Sequence, residues 1–132
     1  MFLIFNIGEK MINIKYKIVD VDVPVFVPEY KTQGSSGMDI CSSYEYIIPP
    51  AHTVVVKTNI SVEIPNGFEI QIRSRSGMSA NHSVFVLNGV GTIDSDYTGE
   101  IMVILHNAGK NDFKAKKRRA GHSPGPPSSK LF

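Results

Sequence analysis

The chain has 132 residues, 42% hydrophobic and 20% charged, the composition of one ordinary globular domain and not of a disordered or membrane-embedded chain. Its net charge of +2 is small and much of the basic excess sits in "KAKKRR", Lys114 to Arg119, so charge offers no basic face for nucleic acid. A single cysteine, Cys41, excludes an internal disulfide and fits a reducing compartment, and no apolar run approaches the roughly 20 residues of a membrane span; a cytoplasmic protein without a membrane partner is expected.

The opening "MFLIFNIGEK" lacks a basic leading region and a small-residue cleavage site, so it does not read as a secretion signal. Residues 1–11 are read as an extension, with Met11 as an alternative start. From Ile12, "INIKYKI" alternates apolar and polar residues as a half-buried strand should. The parity slips at Val19, Val21 and Val23, which predicts a break or bulge near Ile18. Pro24 and Pro28 bracket "VFV" and suggest an edge strand.

The clearest local pattern is "TVVVKTNISVEIPNGFEIQIR". Ile60, Val62 and Ile64 alternate with polar residues, "PNG" turns, and Phe68, Ile70 and Ile72 resume the alternation, which predicts a β-hairpin around Pro65, Asn66 and Gly67. A single helical turn fits "SGMSAN". The runs "VFVLN" (Val84 to Asn88) and "IMVIL" (Ile101 to Leu105) read as strands flanking "GTIDSDYTGEI", which looks like a hairpin tip. Short strands at even spacing with Gly/Pro turns predict an all-β sandwich or barrel. The β domain is expected over residues 12–116. From Lys117 the chain becomes a Pro, Ser, Gly and basic tail, 117–132, of a composition that cannot bury a face.

Four stretches could carry chemistry: the basic tail, and "GSSGMDI" (Gly34 to Ile40), "RSRSGMS" (Arg73 to Ser79) and "LNGVGTIDSDYTGEI" (Leu87 to Ile101). Each of the last three alone has a plain reading, respectively a loop entering a strand, a strand end with exposed arginines, and a turn held by its own aspartates. Together they suggest phosphate-ester chemistry. Arg75, Ser76 and Gly77 offer a forked cation, a hydroxyl donor and close backbone approach for phosphate oxygens. Asp39, Asp94, Asp96 and Glu100 supply a base for water and hard oxygen ligands for Mg²⁺.

These motifs, in this order, closely resemble the trimeric dUTP pyrophosphatases (dUTPases), over about Val27 to Asn107. The resemblance implies a jelly-roll-like β fold, a homotrimer with shared active sites, Mg²⁺ as cofactor, and hydrolysis of dUTP to dUMP and pyrophosphate. Under it, Asp94 positions and activates the attacking water, and Arg75, Ser76 and Gly77 bind phosphates. Asn88, Gly91, Thr92, Ile93 and Tyr97 form the uracil and deoxyribose pocket. The metal has no direct protein ligand; the triphosphate holds it, with Asp39 nearby through water.

The resemblance stops after "NDFKAKK", Asn111 to Lys117. "RRAGHSPGPPSSKLF" keeps neither the family's closing strand nor its glycine-rich arm, and reads as a truncation or a shifted frame followed by unrelated residues. A missing strand is expected to leave a neighbour's edge unpaired, and a missing arm to expose the triphosphate to water; Arg118 or Arg119 is a candidate substitute for the arm's arginine. Three other readings stand beside the hydrolase: a non-catalytic deoxyuridine-nucleotide-binding module, an inactive remnant, and a dCTP-directed member of the same fold, which "RSRSGMS" fits less well.

Overall fold

Ten strands and one short helix make up the chain in a computed structural model that describes residues 13–115 and the backbone of 128–131. The strands are β1 (Lys15–Ile18), β2 (Met38–Cys41), β3 (Tyr46–Ile48), β4 (Thr53–Glu63) and β5 (Ile70–Arg73). After α1 (Ser76–His82) come β6 (Val84–Val86), β7 (Gly91–Ile93), β8 (Glu100–Asn107), β9 (Phe113–Ala115) and β10 (Ser128–Leu131). The expected extension at 1–11 and most of the tail, with Arg118 and Arg119, lie outside the described residues.

Two four-stranded sheets, ordered β1-β4-β8-β6 and β2-β10-β5-β7, and a small β3-β9 ladder give an all-β, jelly-roll-like sandwich. The inward residues of the alternating runs form its core. Ile60, Val62, Ile64, Val56, Ile101, Val103 and Leu105 come from the first sheet and its flank, and Met38, Ile40, Ile70, Ile72 and Ile93 from the second. Burial of such side chains is worth about 1.5–3 kcal/mol each, and it fixes the register because a one-residue slip would turn each of them to water. Met78 of α1 is also buried in this core, which ties the helix to the sandwich.

The structure corrects four expectations about pairing. Pro65, Asn66 and Gly67 do turn the chain, with Gly67 at φ 86° and the Phe68 N–H donating to the Pro65 carbonyl at 3.2 Å. They join no hairpin, however: β4 pairs with β1 and β8, and β5 with β10 and β7, so the turn carries the chain from one sheet to the other. "GTIDSDYTGEI" is not a hairpin tip for the same reason, since β7 and β8 belong to different sheets. Val25 to Val27 form no strand; the flanking prolines lack an N–H for a ladder, and Val25 packs against the core instead. Last, the closing strand expected to be missing is present, as β10 lies between β2 and β5 and pairs antiparallel with both.

The expected break after Ile18 exists, and Asn59 governs it. Asn59 has φ 62°, a left-handed conformation that Asn tolerates better than most residues because its short side chain can bond locally. It is 1% exposed. Its Nδ2 donates to the carbonyls of Asp20 (2.9 Å) and Val23 (3.0 Å), its Oδ1 accepts from the Asp20 N–H (2.8 Å), and its own carbonyl accepts from the Val19 N–H at 3.1 Å. The loop after β1 is thereby fastened to the middle of β4. Asn59→Ala removes three partly buried bonds worth about 0.5–1 kcal/mol each and adds left-handed strain, so a loss of about 2–4 kcal/mol is expected in urea unfolding. Asn59→Gly relieves the strain and should lose less; equal losses would refute the conformational part of this account.

Candidate active site

The second sheet carries the candidate residues at its two ends. At one end, β2 presents Asp39, whose Cα lies opposite Lys130 of β10, and Lys130 in turn lies opposite Arg73 of β5. The Asp39 side chain is 8% exposed, and its Oδ1 is 3.7 Å from Arg75 Nε. A buried carboxylate is held at little cost only where a cation or donors compensate it, and Arg75 supplies that charge. Arg75 is the N-cap residue of α1 with extended φ and ψ of −79° and 129°, so the chain passes from strand to helix between the arginine and Ser76.

The local bonding fixes this passage. The Ser79 N–H donates to the Arg75 carbonyl (3.0 Å), and the Ser74 hydroxyl accepts from the Val86 N–H at 2.8 Å across the sandwich. Ser83 closes the helix in the left-handed region. A Cβ placed on Gly77 would meet no protein atom within 4 Å, and its φ is not positive. The fold itself therefore makes no demand for glycine there, and the space over its backbone is open.

At the other end, β7 runs antiparallel to β5, with Ile93 opposite Ile70 and Gly91 opposite Ile72. Asp94 follows Ile93 and is exposed. Among the described residues no hydrogen bond or ion pair reaches its carboxylate. Beside it lies a hollow of about 360 Å³ lined by Val55, Thr92, Ile93, Asp94, Tyr97, Ile101, Met102 and Ile104. The Asn88 amide lies over Gly91: a Cβ there would be 3.4 Å from Asn88 Nδ2 and 3.3 Å from Ile72 Cβ, so the glycine lets the amide approach the strand.

The loop between β7 and β8 is bonded to itself. The Tyr97 N–H donates to the Asp94 carbonyl (3.1 Å), and the Tyr97 hydroxyl donates to the Glu100 carbonyl at 2.8 Å. A Cβ on Gly99 would stand 2.7 Å from the Tyr97 hydroxyl oxygen. Glu100 is not the free base or metal ligand its sequence neighbours suggest, because its Oε1 accepts from the Asn59 N–H at 2.8 Å. Asn59 itself is missed by sequence reasoning; its one signal is a polar, turn-favouring residue within a β-branched run.

Asp94 and Arg75 are far apart within one chain. Asp94 follows Ile93, which lies opposite Ile70 at the start of β5, and the three steps from Ile70 to Arg73 alone span about 10 Å, with Arg75 beyond. Asp39, Arg75, Ser76 and Gly77 thus gather at one end, while Thr92, Ile93, Asp94 and Tyr97 gather at the other.

Fold and site together define a class: an all-β sandwich with an arginine, a serine hydroxyl and an open glycine at one sheet end and an unpaired carboxylate at the other. The dUTPase family model matches residues 24–120. Similar proteins include deoxyuridine 5'-triphosphate nucleotidohydrolases of Clostridioides difficile, 47% identical over 107 residues (81% of this chain, 73% of the relative), and of Trichodesmium erythraeum, 45% identical over 104 residues (79% and 73%). The chain belongs to the dUTPase family. Among solved structures, Staphylococcus bacteriophage 80alpha dUTPase matches with TM-score 0.76 and 20% identity, covering 90% of this chain and 87% of that one. A mutant dUTPase from phage phi11 of S. aureus, which coordinates a structural Mg(II) ion, matches with TM-score 0.76 and 19% identity, covering 90% and 88%; at these identities both support the fold.

The close contact at Gly99 yields a test of the loop. Gly99→Ala should push the Tyr97 ring out of hydrogen-bond reach of the Glu100 carbonyl, visible in a crystal structure of the variant. Because the ring is exposed, unfolding stability should fall by no more than about 1 kcal/mol; an unmoved ring would refute this reading.

Proposed function

We propose that the protein hydrolyses dUTP to dUMP and pyrophosphate. The observation that carries this reading is the unpaired Asp94 carboxylate at the lip of the Thr92, Ile93 and Tyr97 hollow, in a chain of the dUTPase family. Asp94 would take a proton from a water as its oxygen attacks the α-phosphorus; the bond from that phosphorus to the bridging oxygen breaks, and pyrophosphate leaves. Phosphoryl transfer asks chiefly for an in-line water, a base and charge neutralisation. Arg75 offers the neutralising cation and Ser76 a hydroxyl. The open space over Gly77 admits phosphate oxygens to within reach of backbone N–H groups.

The pyrimidine reader is assigned to Asn88 and the Gly91–Ile93 backbone. A pocket of fixed donors and acceptors rejects cytosine, whose amino group replaces a uracil acceptor. Tyr97 packs against the deoxyribose and leaves no room for a 2′-hydroxyl. Among the described residues no three His, Cys, Asp or Glu side chains converge to cage a metal. A lone buried carboxylate, Asp39, fits Mg²⁺ that keeps its waters and is carried by the substrate phosphates; when bound, the ion supplies charge neutralisation on the leaving pyrophosphate. We place the enzyme in the cytoplasm, without membrane or nucleic-acid partners.

The distance within one chain between Asp94 and Arg75 supports a homotrimer in which one protomer gives Asp94 and a neighbour gives Arg75 and Ser76 to the same nucleotide. Asp94→Asn should reduce dUMP release about 10²–10⁴-fold while dUMP still binds, the usual worth of a general base. Arg75→Ala should mainly raise KM. When the Asp94→Asn and Arg75→Ala variants are unfolded and refolded together and assayed at a dUTP concentration too low for either variant alone to turn over, random assembly of a head-to-tail ring should restore roughly a quarter of wild-type activity. No recovery in a proven mixed trimer would refute the shared site, and a wild-type chain that releases no dUMP would refute the function.

A further inference from the structure

Glu100 takes no part in the proposed reaction, yet it is the residue through which the Asp94–Tyr97 loop meets the body of the fold. On its loop side, its backbone carbonyl accepts the Tyr97 hydroxyl at 2.8 Å. On its body side, its carboxylate accepts the Asn59 N–H at 2.8 Å. That N–H belongs to an irregularity of the β4–β8 ladder: from Lys57 to Ser61 β4 advances four residues while β8 goes from Met102 to Glu100, two residues. The Asn59 N–H therefore has no ladder partner opposite it, and a buried N–H without an acceptor is costly. Glu100 meets the need with a charge-assisted bond, the stronger kind.

The loop side is just as constrained. Tyr97 lies with its hydroxyl oxygen 2.7 Å from where a Gly99 Cβ would be, and its N–H holds the Asp94 carbonyl. Its hydroxyl is already donated to Glu100, so the ring, not the hydroxyl, is what the site receives. Thr58 adds a second clamp, its hydroxyl donating to the Ile101 carbonyl at 2.7 Å. A displacement of Glu100 would accordingly move the Tyr97 ring and the residue carrying the carboxylate together.

We infer that Glu100 is a positioning residue that sets the sugar specificity of the site, by anchoring the Tyr97 ring to the β4 irregularity at Asn59. This rests on the proposed dUTP hydrolysis. General loss of stability would lower activity on all substrates alike, whereas a loosened Tyr97 ring would admit a 2′-hydroxyl and change the ratio between substrates. That ratio is the quantity to measure.

The experiment compares kcat/KM for dUTP and for UTP in the intact protein, its Glu100→Ala and Glu100→Gln variants, and Tyr97→Phe. Glu100→Ala should shrink the dUTP preference about tenfold or more, in line with the large effects of small misplacements at reacting centres. Glu100→Gln keeps an acceptor for the Asn59 N–H and should recover most of the preference. Tyr97→Phe removes the bond on the loop side without touching the β4 irregularity, so it reports on the anchor even if Glu100→Ala fails to fold, and it should also narrow the ratio. Amide exchange at Asn59 should quicken in Glu100→Ala and stay slow in Glu100→Gln. A parent-like ratio in Glu100→Ala or Tyr97→Phe overturns the inference, as does a Glu100→Gln variant as poor as the alanine variant. A parent chain inert towards dUTP overturns the proposed function instead, and the exchange at Asn59 then still decides whether the anchor exists.

Discussion

The irregularity in the middle of β4 is the constraint around which the rest is arranged. Two extra residues on β4 relative to β8 break the ladder and expose backbone groups that a buried strand cannot leave unpaired. Four of them find partners from other parts of the chain. The Lys57 carbonyl takes the Ser43 N–H at 3.2 Å, the Thr58 carbonyl takes the Ser43 hydroxyl at 2.9 Å, and the Asn59 carbonyl takes the Val19 N–H. The Asn59 N–H goes to Glu100. The loops after β1 and β2 and the entry to β8 are thereby tied to one point, and no buried side-chain polar atom among the described residues is left without a partner. Such a satisfied polar network is rigid, because moving one member leaves several others unpaired.

A rigid point of attachment matters because the loop it steadies is otherwise exposed. Asp94, Asp96, Tyr97, Thr98 and Gly99 are open to solvent to differing degrees, and exposed loops are ordinarily the mobile part of a fold. The three carboxylates of this stretch have different roles, since Glu100 is engaged by the Asn59 N–H while Asp94 stands unpaired at the hollow. The sheet then sets a second condition. Since Asp94 follows β7 where Ile93 meets Ile70, and Arg75 lies beyond the other end of β5, the site proposed above would draw on a second copy of the chain. The outward face offers material for such an association. Val55 and Met102 line the hollow and are roughly half exposed, apolar surface that a 132-residue chain gains by covering.

What the sequence discloses is face, and what it conceals is partner. The alternation marks Ile60, Val62, Ile64, Ile70 and Ile72 as buried, because one parity meets the core whichever strand lies alongside, but it fails at Phe68, which precedes β5 and is exposed. It says nothing about the strand alongside, so two alternating runs joined by "PNG" read as a hairpin although they belong to different sheets. The motifs that carry the family resemblance are local in sequence, and their candidate residues fall on β2, on the passage from β5 into α1, and on β7 with the loops around it. The Asn59–Glu100 bond joins residues 41 apart, and no periodicity announces it. Prolines 24 and 28 misled in the other direction: bracketing an apolar run, they mark a segment that packs on the core without joining a ladder.

β10 shows the same limit from the opposite side. "SSKL" has no apolar alternation to announce a strand, yet a strand between two others is held by backbone bonds that are indifferent to side-chain identity. Its place has consequences for the anion-binding end of the site. In the order β2-β10-β5-β7, Asp39 and Arg73 flank Lys130, so β2 and β5 are spaced by β10 and have no ladder of their own. The approach of Asp39 to Arg75 at 3.7 Å is thus set by how β10 is inserted. A neighbouring strand on each side covers both backbone edges of β10, and the same insertion removes two edges that would otherwise be open to pairing with another chain. Residues beyond the span that matches the family model, 24–120, therefore complete the sheet on which Asp39 and Arg73 stand.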